Sequence, residues 1–131
     1  LEGQAEALAA GGGTVALWAL GTSPEEQELA ERAVASGASA PQLSEVLGLG
    51  ALARREWARA EALLSLAEPH APHAARLRRW RVLAAALGDD RARAARLLAD
   101  AAPLVAADRS AEADVAWRWL ASRFALTLPG S

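Results

Sequence analysis

The sequence predicts an all-α fold assembled from a helical repeat, and three observations carry that expectation. Alanine, leucine, glutamate and arginine dominate the chain, all strong helix formers, while the β-branched and aromatic residues that fill strands are scarce. Short breaks marked by glycine and proline divide the chain into helix-length stretches. Sliding the sequence against itself by 34 residues brings 41–74 and 75–108 into register with ten identical positions, among them Leu49/Leu83, Ala60/Ala94, Leu64/Leu98, Ala67/Ala101 and Pro69/Pro103. With 131 residues there is room for one domain, about seven helices and a single modest core.

The elements follow from their punctuation. Glu2–Ala10 reads as helix, Gly11-Gly12-Gly13 as a flexible break, and Thr14–Leu20 as a further short helix, since a lone strand there would have no partner. Ser23-Pro24-Glu25-Glu26 is a helix start, with serine as cap, proline in the first turn and glutamate three residues after the cap; that helix ends before Gly37. Ser39 with Gln42 offers a second capping box, opening a helix to about Ala53. A helix from Trp57 to Glu68 follows, and Pro69 and Pro72 separate it from one over 73–87. Gly88-Asp89-Asp90 turns into a helix over 91–101, and Pro103 to Arg109 is expected as a connection. Ser110 caps the last helix, which runs to about Leu126 before Pro129-Gly130.

Within 41–74 the residues stand at telling intervals. Leu47-Gly48, Ala51, Trp57, Ala60, Leu64, Ala67 and Pro72 occupy the slots where a tetratricopeptide repeat has its Leu-Gly, small, aromatic, alanine, large apolar, alanine and proline residues, and the stretch resembles that family. Small residues at Gly48 and Ala60 let two helices approach closely, Trp57 and Leu64 fill the wedge toward the next pair, and Pro72 ends the second helix. The unit 75–108 keeps the second-helix signature in Ala94, Leu98 and Ala101, but Arg81-Val82 replaces the Leu-Gly pair and Arg91 the aromatic. Stretches 1–40 and 109–131 read as degenerate end units, the latter a half-repeat. The resemblance implies a short right-handed α-solenoid of antiparallel helix pairs with a concave groove that takes a peptide or helix. Carried over slot by slot, the groove residues are Gln42, Glu45, Leu49 and Leu52 from the first unit, Arg76, Arg79 and Leu83 from the second, and Trp117 and Leu120 from the last helix.

Charge and composition narrow the functions. A formal charge of -2 and a pI near 5.7 provide no basic field for nucleic acid. The absence of cysteine removes disulfides and thiol chemistry and leaves the compartment open. The most apolar stretch, Ala5–Leu20, is broken by its glycines, so no membrane span is expected. The chain begins at Leu1 without an initiator methionine, which reads as an excised domain or a processed product, and all fourteen basic residues are arginine, a bias expected of a GC-rich bacterial genome.

Sites of chemistry are few. His70 and His73 flank a proline loop without a third ligand, so no metal is expected. Gly11-Gly12-Gly13-Thr14 lacks the Gly-Lys-Ser/Thr ending of a phosphate loop, no serine sits in a nucleophile elbow, and no cofactor or enzyme activity is expected. The cluster Arg76, Arg78, Arg79, Arg81 reads either as a solvated face balanced by Glu45, Glu61 and Glu68 or as a clamp, Arg76 and Arg79 taking a carboxylate of the partner. Trp18, Trp57 and Trp80 are expected in the core. Trp117 and Trp119 lie roughly 200° apart on a helix; the repeat register puts Trp119 in the core and Trp117 at the groove. A protein-interaction scaffold is thus the expectation, with a regulatory or self-associating domain and a helical enzyme as the alternatives.

Overall fold

A computed structural model describes residues 1–129; Gly130, half of the expected stop after the last helix, lies outside the described residues together with Ser131. The fold is all-helical. The described residues form α1 Glu2–Ala9, α2 Gly13–Ala19, α3 Pro24–Ala35, α4 Pro41–Ala53, α5 Trp57–Ala67, a 3-10 turn Glu68–His70, α6 Ala74–Leu87, α7 Arg91–Ala99, α8 Ala102–Ala107 and α9 Ala111–Phe124, with no strand among them. Nine α-helices thus stand where about seven were expected. One addition is α8, in the stretch read as a connection. Pro103 sits in its first turn, where a fixed φ and a missing N–H suit a helix start.

Most starts are chemically evident. The Glu26 amide donates to Ser23 Oγ at 3.1 Å, the Ala113 amide to Ser110 Oγ at 3.1 Å, and the Arg93 amide to Asp90 Oδ1 at 3.1 Å. The capping box expected of Ser39 and Gln42 does not form. Pro41 takes the first helical position, which makes Ala40 the cap and leaves Ser39 outside. Gly12 lies between α1 and α2 at φ +73°, and a Cβ there would run into the Ala53 carbonyl oxygen, so only glycine lets this turn sit on the end of α4.

Neighbours in sequence are neighbours in space. Helix α3 packs on α4, α4 on α5, α5 on α6 and α6 on α7. The first two helices pack on each other, with α2 also against α4, while α9 returns to α6 with α8 beside both. The core runs along α4, α5 and α6 through Leu52, Leu64, Leu77, Val82 and Leu83. A Cβ on Gly48 would stand 2.8 Å from Leu64 Cδ2 and 2.9 Å from its Cγ, so α4 and α5 meet at a distance that glycine permits. Ala60 is fully buried at the same contact region.

Three tryptophan assignments change. Trp18 is 63% exposed, because α2 turns Ala16 and Leu20, four residues apart, toward the core and its remaining side toward solvent. On α9 the buried residue is Trp117, at 1% exposure, and Trp119 is half-buried. Ala113, Trp117 and Leu120 form one stripe at i, i+4 and i+7, and that stripe faces the core. At 34-residue spacing Trp117 shares its slot with Leu83 and Leu49, which are buried as well, so it is the expected groove role of that slot that fails on α9.

Candidate functional site

A groove of about 1160 Å³ has walls contributed by α1, α2, α4, α6 and α9, with Glu26 of α3 beside them. Its floor is apolar: Leu20, Leu49, Leu77 and Trp80 are buried beneath it. Trp18 from α2 and Val115 from α9, each 63% exposed, stand at its edges, and Trp119 lines it with its ring edge-on to Phe124, centroids 6.1 Å apart. Exposed apolar side chains of this size on a concave surface are the chemistry of a docking surface.

The expected groove residues divide. Glu45, Leu49, Arg76 and Arg79 line the concavity. Gln42 is exposed at the start of α4 and is not part of the lining. Leu52, Leu83, Trp117 and Leu120, expected at the groove, are core residues, at most 1% exposed. Leu52 and Leu83 are covered because α4 and α6 have neighbours on more than one side, so only a narrow strip of each faces the concavity, whereas Trp117 and Leu120 belong to the stripe by which α9 docks. Trp18 and Val115 escaped sequence reasoning, because an apolar residue at helical spacing gives no sign of which side of a short helix will be covered.

The arginine cluster of α6 does two things. Arg78 forks onto Glu68, Nε to Oε1 at 2.8 Å and Nη2 to Oε2 at 2.7 Å, and its Nη1 donates to the Leu97 carbonyl at 3.0 Å. Arg81 donates to Glu68 Oε1 at 2.9 Å and to Glu61 Oε1 at 3.0 Å, and Arg93 of α7 reaches the same Glu61 atom at 3.0 Å. This network ties α5, the 3-10 turn, α6 and α7 together away from the groove, and none of its members lines it. Burial, the strongest single influence on Glu68, pushes its carboxyl up; the hydrogen bonds and charges of Arg78 and Arg81 together outweigh it and hold the group below the usual carboxylate range.

Arg76 and Arg79 take the other side. Arg76 is exposed in the groove. Arg79 lies over the Trp117 ring, 5.2 Å from its centroid, and 3.5 Å from Asp108 Oδ2, with its side chain largely covered. Burial lowers its proton affinity, and Asp108 partly offsets that effect. Arg79 therefore already has an acidic neighbour within the chain. Glu45, which lines the groove, has its Oε1 2.8 Å from Nε2 of His73, which does not. Among the described residues no three His, Cys, Asp or Glu side chains converge as a metal site would require.

Neither family models, nor curated proteins, nor solved structures provide a match to this chain.

Proposed function

We propose that the chain is a protein-interaction scaffold of the tetratricopeptide kind, a short right-handed solenoid of antiparallel helix pairs, which takes a segment of another protein in its groove. Support for the repeat comes from the sequence-order packing of α3 to α7 and from Gly48 opposite Leu64, the close approach that the repeat's Leu-Gly slot serves. In that scheme α4, α6 and α9 are the first helices of successive units, and these three line the concavity. The observation that carries the binding role is the groove itself, with an apolar floor and the exposed Trp18 and Val115 at its edges. Its 1160 Å³ exceeds the roughly 300–1,000 Å³ usual for small-molecule pockets, which favours a polypeptide occupant. Binding is favoured over catalysis because the buried charges Glu68 and Arg81 and the largely covered Glu61 and Arg78 satisfy one another outside the groove.

Selection of binders from a displayed random-peptide library tests the reading. Selected peptides are expected to compete with one another and to bind the double variant Trp18→Ala/Val115→Ser at least tenfold more weakly, as loss of about 1.4 kcal/mol or more at a hot spot implies. Leu66→Ser, an exposed change outside the groove, is expected to leave them unaffected. Binders indifferent to the groove variant would refute the assignment.

A further inference from the structure

The sign of the groove's charge and the absence of a free sheet edge together say what kind of segment fits it. We infer, resting on the groove reading above, that the occupant is an amphipathic helix with a cationic rim rather than a carboxylate-bearing peptide. Five carboxylates line the concavity, Glu2, Glu26, Glu45, Asp108 and Glu112, against the guanidinium groups of Arg76 and Arg79. The groove thus carries a formal side-chain charge of -3, while the whole chain carries -2, so the rest of the molecule sums to +1. The negative charge is concentrated here.

Its arrangement matters as much as its sum. Arg79 is engaged, with Asp108 at 3.5 Å and the Trp117 ring beneath it. The four remaining acids come from α1, α3, α4 (Glu45, beside His73) and α9, so acidic groups approach the concavity from several walls, with Arg76 as the one further cationic side chain among the lining residues. A carboxylate entering the groove meets more repulsion than attraction, and a lysine or arginine on the occupant meets an acid from whichever wall it faces. Between those walls the floor is apolar, so a single apolar stripe flanked by basic residues matches both surfaces.

The occupant's backbone points the same way. Every wall is helical and no strand occurs among the described residues, so an extended peptide has no ladder to receive its N–H and C=O groups. A helix satisfies its own backbone and presents only side chains.

Two 14-residue probes that differ only in charge separate the possibilities: a leucine–lysine amphipathic helix and its leucine–glutamate counterpart, titrated by calorimetry at low and high salt. The lysine peptide is expected to bind with strongly salt-dependent affinity and the glutamate peptide at least tenfold more weakly. Glu2→Gln/Glu112→Gln, two exposed acids on α1 and α9, is expected to weaken the lysine peptide by about tenfold and to flatten the salt dependence. Equal or tighter binding of the glutamate peptide that still drops in Trp18→Ala/Val115→Ser would overturn the charge and keep the groove. Binding of either peptide that ignores Trp18→Ala/Val115→Ser would overturn the groove as well. Failure of both probes would overturn the cationic helix, with the displayed library then deciding the groove separately.

Discussion

Trp117 and Trp119 are separated by one arginine and differ in almost everything that matters physically. The first has its ring wholly enclosed between α9 and α6 and carries Arg79 on its face; the second is half-open to the groove. Trp117→Ala is therefore expected to cost about 3–5 kcal/mol, the range for truncating a buried aromatic side chain. Trp119→Ala should cost distinctly less, since part of its ring is already in water. Denaturant midpoints of the two variants check the order, and a larger loss at Trp119 would contradict the packing of α9. Ala60 gives the opposite kind of test. It is fully buried where α5 meets its neighbours, so Ala60→Leu adds volume to a filled site and should destabilise by roughly 1–3 kcal/mol. An unchanged midpoint would mean that the contact has slack.

Element α6 is the part of the fold in which charge and packing are hardest to separate. Its buried Arg81 and largely covered Arg78 converge on Glu68, which also has little exposure, so the helix depends on that carboxylate remaining ionised. Glu68→Ala leaves Arg78 without its acid and Arg81 with Glu61 alone, and should cost about 3 kcal/mol, at the lower end for breaking a buried pair. The pH dependence has a definite sign. Because the folded pKa of Glu68 lies below the ordinary carboxylate range, its contribution is fully present above that range and is lost as pH falls through the folded value. Stability followed by urea unfolding in the acid range should therefore fall less steeply in Glu68→Gln than in the parent chain; an identical slope would show that the network does not drive acid loss. The network also marks where sequence reading stops. Ser23, Ser110 and Pro41 act locally, so the helix starts at Pro24 and Ala111 were legible, and Pro41 misled only about which residue caps. The division of the α6 arginines was not, because Arg78 and Arg81 are assigned by Glu61 and Glu68 on other elements, and Arg76 and Arg79 by the concavity. Trp18 and Trp117 failed for the same reason: periodicity identifies an apolar stripe, but the covering helix decides which stripe is buried.

At the scale of the whole molecule, packing is unequal from one end to the other. Helix α6 is held by α5 and α7 along its length and by α8 and α9 beyond them, with the Glu61–Glu68–Arg78–Arg81 network adding polar ties. The first two helices rest chiefly on each other and, through α2, on α4, joined to the next stretch through Gly21, and α2 leaves Val15 and Trp18 in water. Regions with few buried apolar contacts open at lower free energy than the centre, in units that follow the packing. Native-state hydrogen exchange should accordingly show amides of α4 to α7 exchanging only with global unfolding, and those of α1 and α2 exchanging through a smaller opening. The groove adds a condition, because its walls include the weak end as well as the strong middle. An occupant binding between α1, α2, α4, α6 and α9 can raise protection in α1 and α2 substantially, whereas α6 has little protection left to gain. Binding of the leucine–lysine helix is therefore expected to slow exchange most in α1, α2 and α9. Uniform protection in the free chain would show one cooperative unit, and slowing confined to α7, which contributes nothing to the groove, would place the peptide somewhere else.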